Sequence, residues 1–251
     1  MAEKEEVIDN EFDPIIWDVR GDIRLQDLPV TRIQDSLELL KKFSITTNPL
    51  WINLGIDKDE EVIEEYCARL LHILKDCCSI AAISIETGKL LGLALCKIMS
   101  IDEYDWTLWK IMPTISTKLS KIFTLQYDII KTSELTKGTC FHCFDLCVSD
   151  EIEEKNFEEV LMKQAYEASK SLKTDVFSYT CFRKEEAEKA KAAHMHLSKE
   201  IHYAFYTDNV GERIFKNIEN EQTAYLFIRK TPKLQDFTKL YDFNKKLKKN
   251  K

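Results

Sequence analysis

Two apolar runs, residues 79–86 and 90–98, are joined by the short polar sequence Glu86-Thr87-Gly88-Lys89. A glycine between two such runs is typical of a hairpin turn in which Gly88 takes a positive φ. Both runs are nearly continuously apolar, whereas a strand with one solvated face alternates apolar and polar residues. The sequence therefore predicts a covered hairpin at the centre of a sheet.

Helical and strand patterns flank this hairpin. Apolar residues recur at three- and four-residue steps in several segments, and short apolar runs lie between those segments. The predicted helices are 31–43, 60–76, 115–130, 157–172 and 184–199, and the predicted strands are 15–25, 79–86, 90–98, 140–148, 175–182, 202–207 and 223–229. This order predicts an α/β domain with a mixed central sheet and a helical insertion, residues 100–137, before the fourth strand.

The 251 residues are 44% hydrophobic, which is enough for one domain with a sizeable core. We divide the chain into an acidic leader (1–14), one domain (15–231) and a basic tail (232–251). The lysines of the tail are densest near its end, at Lys245, Lys246, Lys248 and Lys249. We interpret them as a solvated terminus, and an interaction module that acts through the tail or the insertion is a third functional class.

Glycine is scarce, with 6 residues in the whole chain, where average usage predicts roughly 17 or 18. No GxGxxG, GxxxxGK[ST] or GxSxG sequence occurs. There is thus no sequence case for a Rossmann dinucleotide enzyme, a P-loop nucleotidase or an α/β-hydrolase. The net charge of −7 also argues against general nucleic-acid binding, which needs clustered Lys and Arg.

The acidic N-terminal segment lacks the basic and apolar parts of a signal peptide, and no run of about 18 apolar residues occurs. We expect a soluble cytoplasmic protein without membrane insertion. In a reducing compartment the 8 cysteines would be free thiols that pack as small apolar residues.

The order of elements, together with short local motifs, resembles the N-acetyltransferases of the GNAT superfamily, and insect arylalkylamine N-acetyltransferases in particular. Those enzymes typically show a phenylalanine, a Glu-Pro-Leu, a Leu-Gly, an acidic helix and a hairpin with a Thr-Gly turn. The counterparts here are Phe43, Asn48-Pro49-Leu50, Leu54-Gly55 and Thr87-Gly88. The resemblance covers roughly residues 15–230 and implies the GNAT fold with acetyl-coenzyme A as the cofactor.

In that family the pyrophosphate of acetyl-coenzyme A rests on a loop of the type Arg-x-x-Gly-x-Gly/Ala, at the N-terminus of the helix after the fourth strand. Laid on this pattern, Glu153 falls at the arginine, Glu154 and Asn156 at glycine positions and Glu158 at the last position. Within this segment Lys155 stands against six acids, Asp150, Glu151, Glu153, Glu154, Glu158 and Glu159. The resemblance therefore implies a degenerate cofactor loop, and an acid-capped helix N-terminus explains the segment without a ligand.

The family's Glu-Pro-Leu glutamate is generally taken as the base that deprotonates the amine. Asn48 stands at that position, and an amide cannot accept a proton at neutral pH. His196 lies roughly where related enzymes carry a tyrosine that protonates the thiolate, although a histidine in an Ala-rich helix needs no such role. Two functional elements of the family, the glycine-containing phosphate loop and the glutamate base, are therefore absent together.

Three further groups of residues have chemistry that suits a functional site. Cys140 and His142 would lie on one strand face and Cys143 and Cys147 on the other, so we predict no zinc site. The aromatic side chains Trp51, Trp106 and Trp109 either line an amine pocket or pack in the core or lid. Cys147 and Val148, at the end of the fourth strand, are possible backbone contacts to the pantetheine of acetyl-coenzyme A, which the family holds against that strand.

These observations favour a GNAT-fold protein that has lost acetyl-coenzyme A-dependent catalysis and has a binding or scaffolding role. Its partner, a protein or a small molecule, is not identified by the sequence. The alternative is an active N-acetyltransferase for an arylalkylamine or another small primary amine, with a water or His196 transferring the proton.

Overall fold

The computed structural model describes residues 13–101, 115–135, 137–216, 218 and 223–232. The strands are β1 (Ile16–Arg20), β2 (Ile23–Asp27), β3 (Ile80–Ser84), β4 (Leu90–Ser100), β5 (Thr139–Val148), β6 (Val176–Cys181), β7 (His196–His202) and β8 (Thr223–Lys230). The α-helices are α1 (Ile33–Leu40), α2 (Pro49–Asn53), α3 (Glu60–Leu74), α4 (Thr117–Lys131), α5 (Phe157–Ser171) and α6 (Lys184–Ala192). A π-helical segment, Lys41–Ile45, continues α1.

All eight strands form one sheet in the order β1-β2-β3-β4-β5-β6-β8-β7. The β5–β6 pair is parallel, and the other neighbouring pairs are antiparallel. The predicted hairpin is confirmed: β3 and β4 lie inside the sheet, and Gly88 has a φ of +67°. The result is a mixed α/β domain, as the sequence predicted.

The core has two layers, one on each face of the sheet. Helices α1 to α4 contribute to one apolar cluster, and α5 and α6 contribute to the other. Capping side chains fix the first residue of several of these helices. The Asp59 carboxylate, for example, caps α3 by accepting a hydrogen bond from the Val62 N–H at 3.4 Å. Apolar residues at three- and four-residue spacing then turn one face of α3 into the core.

Three element predictions were wrong. The predicted strand 15–25 is a hairpin of β1 and β2, because Gly21 turns the chain with a φ of +56°. The fourth strand predicted from sequence is therefore β5, and α4 is the helix inserted before it. The predicted helix 184–199 ends at Ala192, because His194 takes a left-handed φ of 61°. Residues 202–207 end β7 and form a 3₁₀ turn instead of a separate strand.

The predicted leader and tail lie almost entirely outside the described residues. Among the described residues, no helix is both long and apolar enough to cross a bilayer. All eight cysteines are described, and six of them are buried.

Candidate functional site

The strands β5 and β6 run side by side and then separate, which we call the splay. Their paired residues run from Cys140 and Val176 to Cys143 and Tyr179. On its other side β5 stays paired with β4 as far as Val148, which lies opposite Gly92. The last five residues of β5 thus keep one neighbour and lose the other, and a space opens in the middle of the sheet.

A β-bulge in β5 lies where the splay begins. In the pairing with β4, Leu95 lies opposite Asp145 and Cys96 lies opposite Cys143, so Phe144 is the extra residue. The bulge reverses the alternation of faces along the rest of the strand. Cys143 packs in the cluster beneath α5 and α6, whereas Cys147 packs with Cys140 on the opposite face.

The prediction that Cys143 and Cys147 share a face is therefore wrong. Sequence alternation fails here because the bulge adds one residue. Among the described residues, no three His, Cys, Asp or Glu side chains form a group that could hold a metal ion. Burial raises the pKa of the Cys140 thiol to about 12, so it stays protonated and does not favour metal binding.

A small cavity of about 20 Å³ lies at the splay, which is room for little more than one water molecule. We call it the splay cavity. Its walls come from the π-helical segment, α2, α3, α4, β5, β6 and the start of α6. The lining residues are Ser44, Asn48, Trp51, Tyr66, Ile122, Gln126, Phe144, Asp145, Tyr179, Thr180, Phe182, Arg183 and Glu186.

Asp145 is the central acidic group of this cavity. Its carboxylate accepts hydrogen bonds from the Ser44 hydroxyl at 2.5 Å and from the Leu146 N–H at 2.8 Å. Burial raises the pKa of Asp145 to about 6; Glu186 contributes to this rise, while the Ser44 and Leu146 hydrogen bonds and the charge of Arg183 oppose it. A carboxylate with such a pKa changes charge close to neutral pH.

Two polar atoms in the cavity wall lack partners. The side-chain oxygens of Gln126 and Thr180 are buried and have no hydrogen-bond partner among the described residues. Gln126 is 7% exposed and Thr180 is 2% exposed. Because leaving a buried polar group unsatisfied costs about 1 to 3 kcal/mol, both atoms indicate a place for a polar ligand or a water.

An ion pair completes the wall at the start of α6. The Arg183 guanidinium donates to Glu186 Oε1, at 2.8 Å from Nε, and Glu186 Oε2 accepts the Phe182 N–H at 3.1 Å. The Arg183 side chain is 28% exposed and the Glu186 side chain 15% exposed. Both side chains are therefore partly exposed where they line the splay cavity.

Sequence reasoning missed Asp145, although a signal was present. It is the only carboxylate in the otherwise largely apolar run 140–148. An acid within a covered strand requires compensation, and such exceptions concentrate at functional sites.

The structure gives Asn48 a definite local role. Its side-chain oxygen accepts the Leu50 N–H at 2.9 Å and caps α2, with Pro49 in the first turn. Asn48 and Trp51 both line the splay cavity, and Trp51 packs on Tyr66 with ring centroids 4.4 Å apart. Both residues that the sequence singled out therefore line this cavity, and Asn48 serves there as a helix cap.

The other predicted site residues lie elsewhere. His196 begins the edge strand β7, is exposed and lies opposite Ile228, so its predicted place in a helix is wrong. It does not line the splay cavity, and neither do Cys147 and Val148. Trp106 and Trp109 lie outside the described residues.

The acidic loop, residues 149–158, leads into α5. Asn156 is the N-cap residue of α5 and has a left-handed φ of 62°, a conformation that asparagine tolerates better than most residues. Glu153, Glu154 and Lys155 precede it, and Glu158 lies in the first turn. The loop thus makes without glycine the left-handed turn that glycine normally provides.

Several acids of this segment are paired with cations from elsewhere in the fold. Glu154 contacts Arg20 of β1 at 3.1 Å, and Glu158 contacts Lys189 of α6 at 2.7 Å. Glu151 contacts Lys89, and Glu159 contacts Lys163. The sequence count, which set Lys155 alone against six acids, therefore overstated the charge imbalance.

Two acids of this loop nevertheless lack a cation. Within the described part of the chain, Asp150 and Glu153 have no cationic partner, and the cations that reach the loop from other elements, Arg20, Lys89 and Lys189, are already engaged by carboxylates. Side chains also stand at the positions where the family uses glycine to admit the phosphates. A polyphosphate at this helix terminus would meet carboxylates first.

No protein-family model and no curated protein matches the chain. Solved structures match its fold. Arylalkylamine N-acetyltransferase 2 from Aedes aegypti is 20% identical with a TM-score of 0.71, over 84% of this chain and 100% of that chain. A mosquito arylalkylamine N-acetyltransferase-like protein, 5b, is 15% identical with a TM-score of 0.72, over 83% and 99% of the two chains.

The polyamine N-acetyltransferase of Drosophila melanogaster, which forms N-acetylagmatine, is also similar. It is 15% identical with a TM-score of 0.69, over 83% of this chain and 100% of that chain. The predicted GNAT fold is therefore confirmed. At these identities the likeness establishes the fold, and fold alone does not specify activity.

Proposed function

We propose that this protein has kept the GNAT fold without acetyl-coenzyme A-dependent catalysis, and that it binds a small molecule in the splay cavity. The observation that carries the first part is the acidic loop at the start of α5. Glu153 occupies the position of the family's phosphate-binding arginine, and Glu158 is already paired with Lys189.

The energetics of the loop support this proposal. Carboxylates in the first turn of a helix are stabilising by about 0.3 to 1 kcal/mol each, because they interact favourably with the helix dipole. Glu158 and Glu159 occupy the first turn of α5. The positive end of the helix is thus satisfied by the protein's own acids, and a phosphate gains little there.

The binding role rests on the splay cavity. It contains an acid whose pKa lies near neutrality and two buried oxygens without partners, on Gln126 and Thr180. Burying such groups is costly unless something compensates them. A polar small molecule supplies that compensation once the side chains around the cavity make room for it, whereas a scaffolding role by itself does not need these groups.

The first experiment measures acetyl-coenzyme A binding by thermal shift and calorimetry. We expect no resolvable rise in the melting temperature of the unmodified protein. A competent site at a hundredfold excess of ligand over Kd would raise it by about 5 to 10 °C. The variant with Glu153→Arg, Glu154→Gly, Asn156→Gly and Glu158→Gly should gain measurable binding, because its loop carries the family pattern.

Glu134→Arg is the matched control. It makes the same charge change as Glu153→Arg on an exposed turn after α4, and it should give no binding. A clear shift with the unmodified protein, or acetylation of an amine by it, would overturn the proposal.

The position of Asp145 favours one second candidate, an active N-acetyltransferase for a small primary amine with acetyl-coenzyme A as its cofactor. In that case Asp145, rather than Asn48, is the group able to accept a proton near neutral pH. Turnover of an arylalkylamine or of agmatine that is lost in Asp145→Asn would establish this candidate.

A further inference from the structure

An open groove of about 780 Å³ lies at the end of β6 that points away from the splay. Trp17 of β1, Ser171 at the end of α5 and Asp175 before β6 line it, together with Thr231 and Pro232 after β8. We call it the Trp17 groove. Its volume lies in the range of roughly 300 to 1,000 Å³ that is typical of ligand pockets, so it has room for several side chains.

The surface of the Trp17 groove has no unmet polar demand. The indole Nε1 of Trp17 donates to Asp27 Oδ1 at 2.7 Å, and the ring packs on the apolar cluster beneath α5. Within the described residues, no side chain that lines the groove has a buried polar atom without a hydrogen-bond partner. The groove therefore suits apolar side chains, whereas the splay cavity, with Gln126 and Thr180, suits a polar occupant.

The backbone is held in place up to the edge of this groove. The Thr231 N–H donates to the Asp175 carbonyl at 3.1 Å, the Thr231 hydroxyl donates to the Thr174 carbonyl, and Thr231 is 7% exposed. Pro232, the next residue, is exposed and lines the groove. The rest of the tail thus starts at the groove, and the entropy cost of closing a loop between them is small.

The 19 residues after Pro232 divide into an apolar part and a basic part. Segments that stay in solvent typically have few large apolar residues. Five such residues lie within 234–243, whereas five of the seven residues in 245–251 are lysines. The five apolar residues are Leu234, Phe237, Leu240, Tyr241 and Phe243. The part nearer the groove is therefore suited to burial, and the more distant part is suited to solvent.

The charges of the leader and the tail are complementary. Residues 1–12 contain five acids and one lysine, whereas residues 233–251 contain seven lysines and two acids. The described part of the chain begins at Asp13, four residues before Trp17, so the leader joins the domain beside the same groove. Attraction between opposite charges favours a tail held on this side of the domain.

From these observations we propose that residues 233–243 dock in the Trp17 groove of their own chain. The apolar and aromatic side chains of this segment pack against Trp17, and the lysines from Lys245 onward stay in solvent. The groove is then an internal interface that the tail keeps covered. This inference is independent of the proposed function, because the Trp17 groove and the splay cavity lie at opposite ends of β6.

Hydrogen exchange of the full chain, read by mass spectrometry, tests the docking. Amides of residues 234–243 should exchange at least about tenfold more slowly in the unmodified protein than in the variant Phe237→Ser with Tyr241→Ser, because docked backbone is protected. Lys245→Ser with Lys248→Ser is the matched control. It changes the same number of residues in the basic part of the tail and should keep the protection.

Substitutions in the groove test the other side of the contact. Trp17→Ala should remove the protection of 234–243, whereas Phe205→Ala, at an exposed ring of another element, should not. Ser171→Arg adds a long side chain to the groove without deleting any contact, and it should also remove the protection. Thr124→Arg, at an exposed residue of α4, is its control. Ser171→Arg decides the question if Trp17→Ala does not fold.

Three results would overturn the inference. The first is exchange of residues 234–243 that is as fast in the unmodified protein as in the Phe237→Ser, Tyr241→Ser variant. The second is protection that survives Ser171→Arg. The third is protection that is lost when the protein is diluted, because a segment docked on its own chain is protected independently of concentration, and such a loss would show that the tail binds a second copy.

Discussion

The acidic loop before α5 and the splay cavity both carry more acids than bases, yet they differ in how the charge is compensated. In the loop, Glu154 and Glu158 meet cations from β1 and α6 at a partly exposed surface. In the cavity, Asp145 is enclosed and has neutral hydrogen-bond donors only. Acidic side chains therefore cost little free energy in the loop, because water screens their charges, and they cost more in the cavity, where water is largely excluded.

The two regions should respond differently to substitution. Exposed ion pairs contribute about 0 to 1 kcal/mol each, whereas enclosed groups respond to every change in packing or charge. Substitutions around the cavity should thus alter the free energy of unfolding more than substitutions in the loop.

The largest expected effect is at Tyr66, which is 3% exposed and packs on Trp51 and Phe123. Tyr66→Ala should lower the free energy of unfolding by about 3 to 5 kcal/mol, since it removes a buried ring and leaves a larger cavity. Urea denaturation measures this. Phe205→Ala, at a ring that is 80% exposed, should change stability by less than about 0.5 kcal/mol, and equal losses would contradict the contrast.

Asp145→Asn should stabilise the protein at neutral pH. Because the pKa of Asp145 is raised from 3.8 to about 6, the folded state binds this proton more tightly than the unfolded chain. The stability contributed by this group is complete below about pH 4 and is lost as the pH rises to about 6.

The amide of the variant does not ionise and has no such loss. The free energy of unfolding of Asp145→Asn should therefore exceed that of the unmodified protein by about 2 kcal/mol at pH 7 and by much less at pH 4. Denaturation curves at several pH values measure the difference. Ser44→Ala removes a hydrogen bond that lowers the pKa of Asp145, so the loss should extend to higher pH. A difference independent of pH would show that Asp145 is not the group responsible.

A smaller effect is expected at Asn48. Asn48→Ala should lower the free energy of unfolding by about 1 kcal/mol, because the Leu50 N–H loses its capping oxygen. Asn48→Ser keeps a short acceptor and should retain most of the stability. If serine costs as much as alanine, the cap does not explain this residue.

The smallest effect belongs to the acidic loop. Glu158→Gln removes the partner of Lys189 and should change the free energy of unfolding by less than about 1 kcal/mol. The effect should shrink further at high salt, where surface charges are screened. A loss of several kcal/mol would show that the ion pairs of the loop are as important for stability as the groups of the cavity, and it would contradict the contrast.

Glycine scarcity illustrates a limit of sequence reasoning. It correctly argued against glycine-built motifs, but left-handed positions still occur at Cys77, Asn156, Lys173 and His194. Helix ends that lack glycine give no local signal. The predicted helix therefore continued past Ala192, and His196 was assigned to the wrong element.

The bulge in β5 illustrates a second limit. Strand alternation predicted the faces of Cys140 and Cys143 correctly, yet failed beyond Phe144, because one extra residue reverses every later side chain. The same bulge lies beside Asp145. No local pattern in the run 140–148 indicated it.

The sequence by itself determined the central hairpin, the strand β5 and the helix α5 that follows it, because apolar periodicity and turn residues are local properties. It also determined the acids of the loop before α5. Only the tertiary structure decided which cations meet those acids and which side chains enclose Asp145. The wall of the splay cavity runs from Ser44 to Glu186 in the chain, and residues so far apart become neighbours only when the helices pack on the sheet.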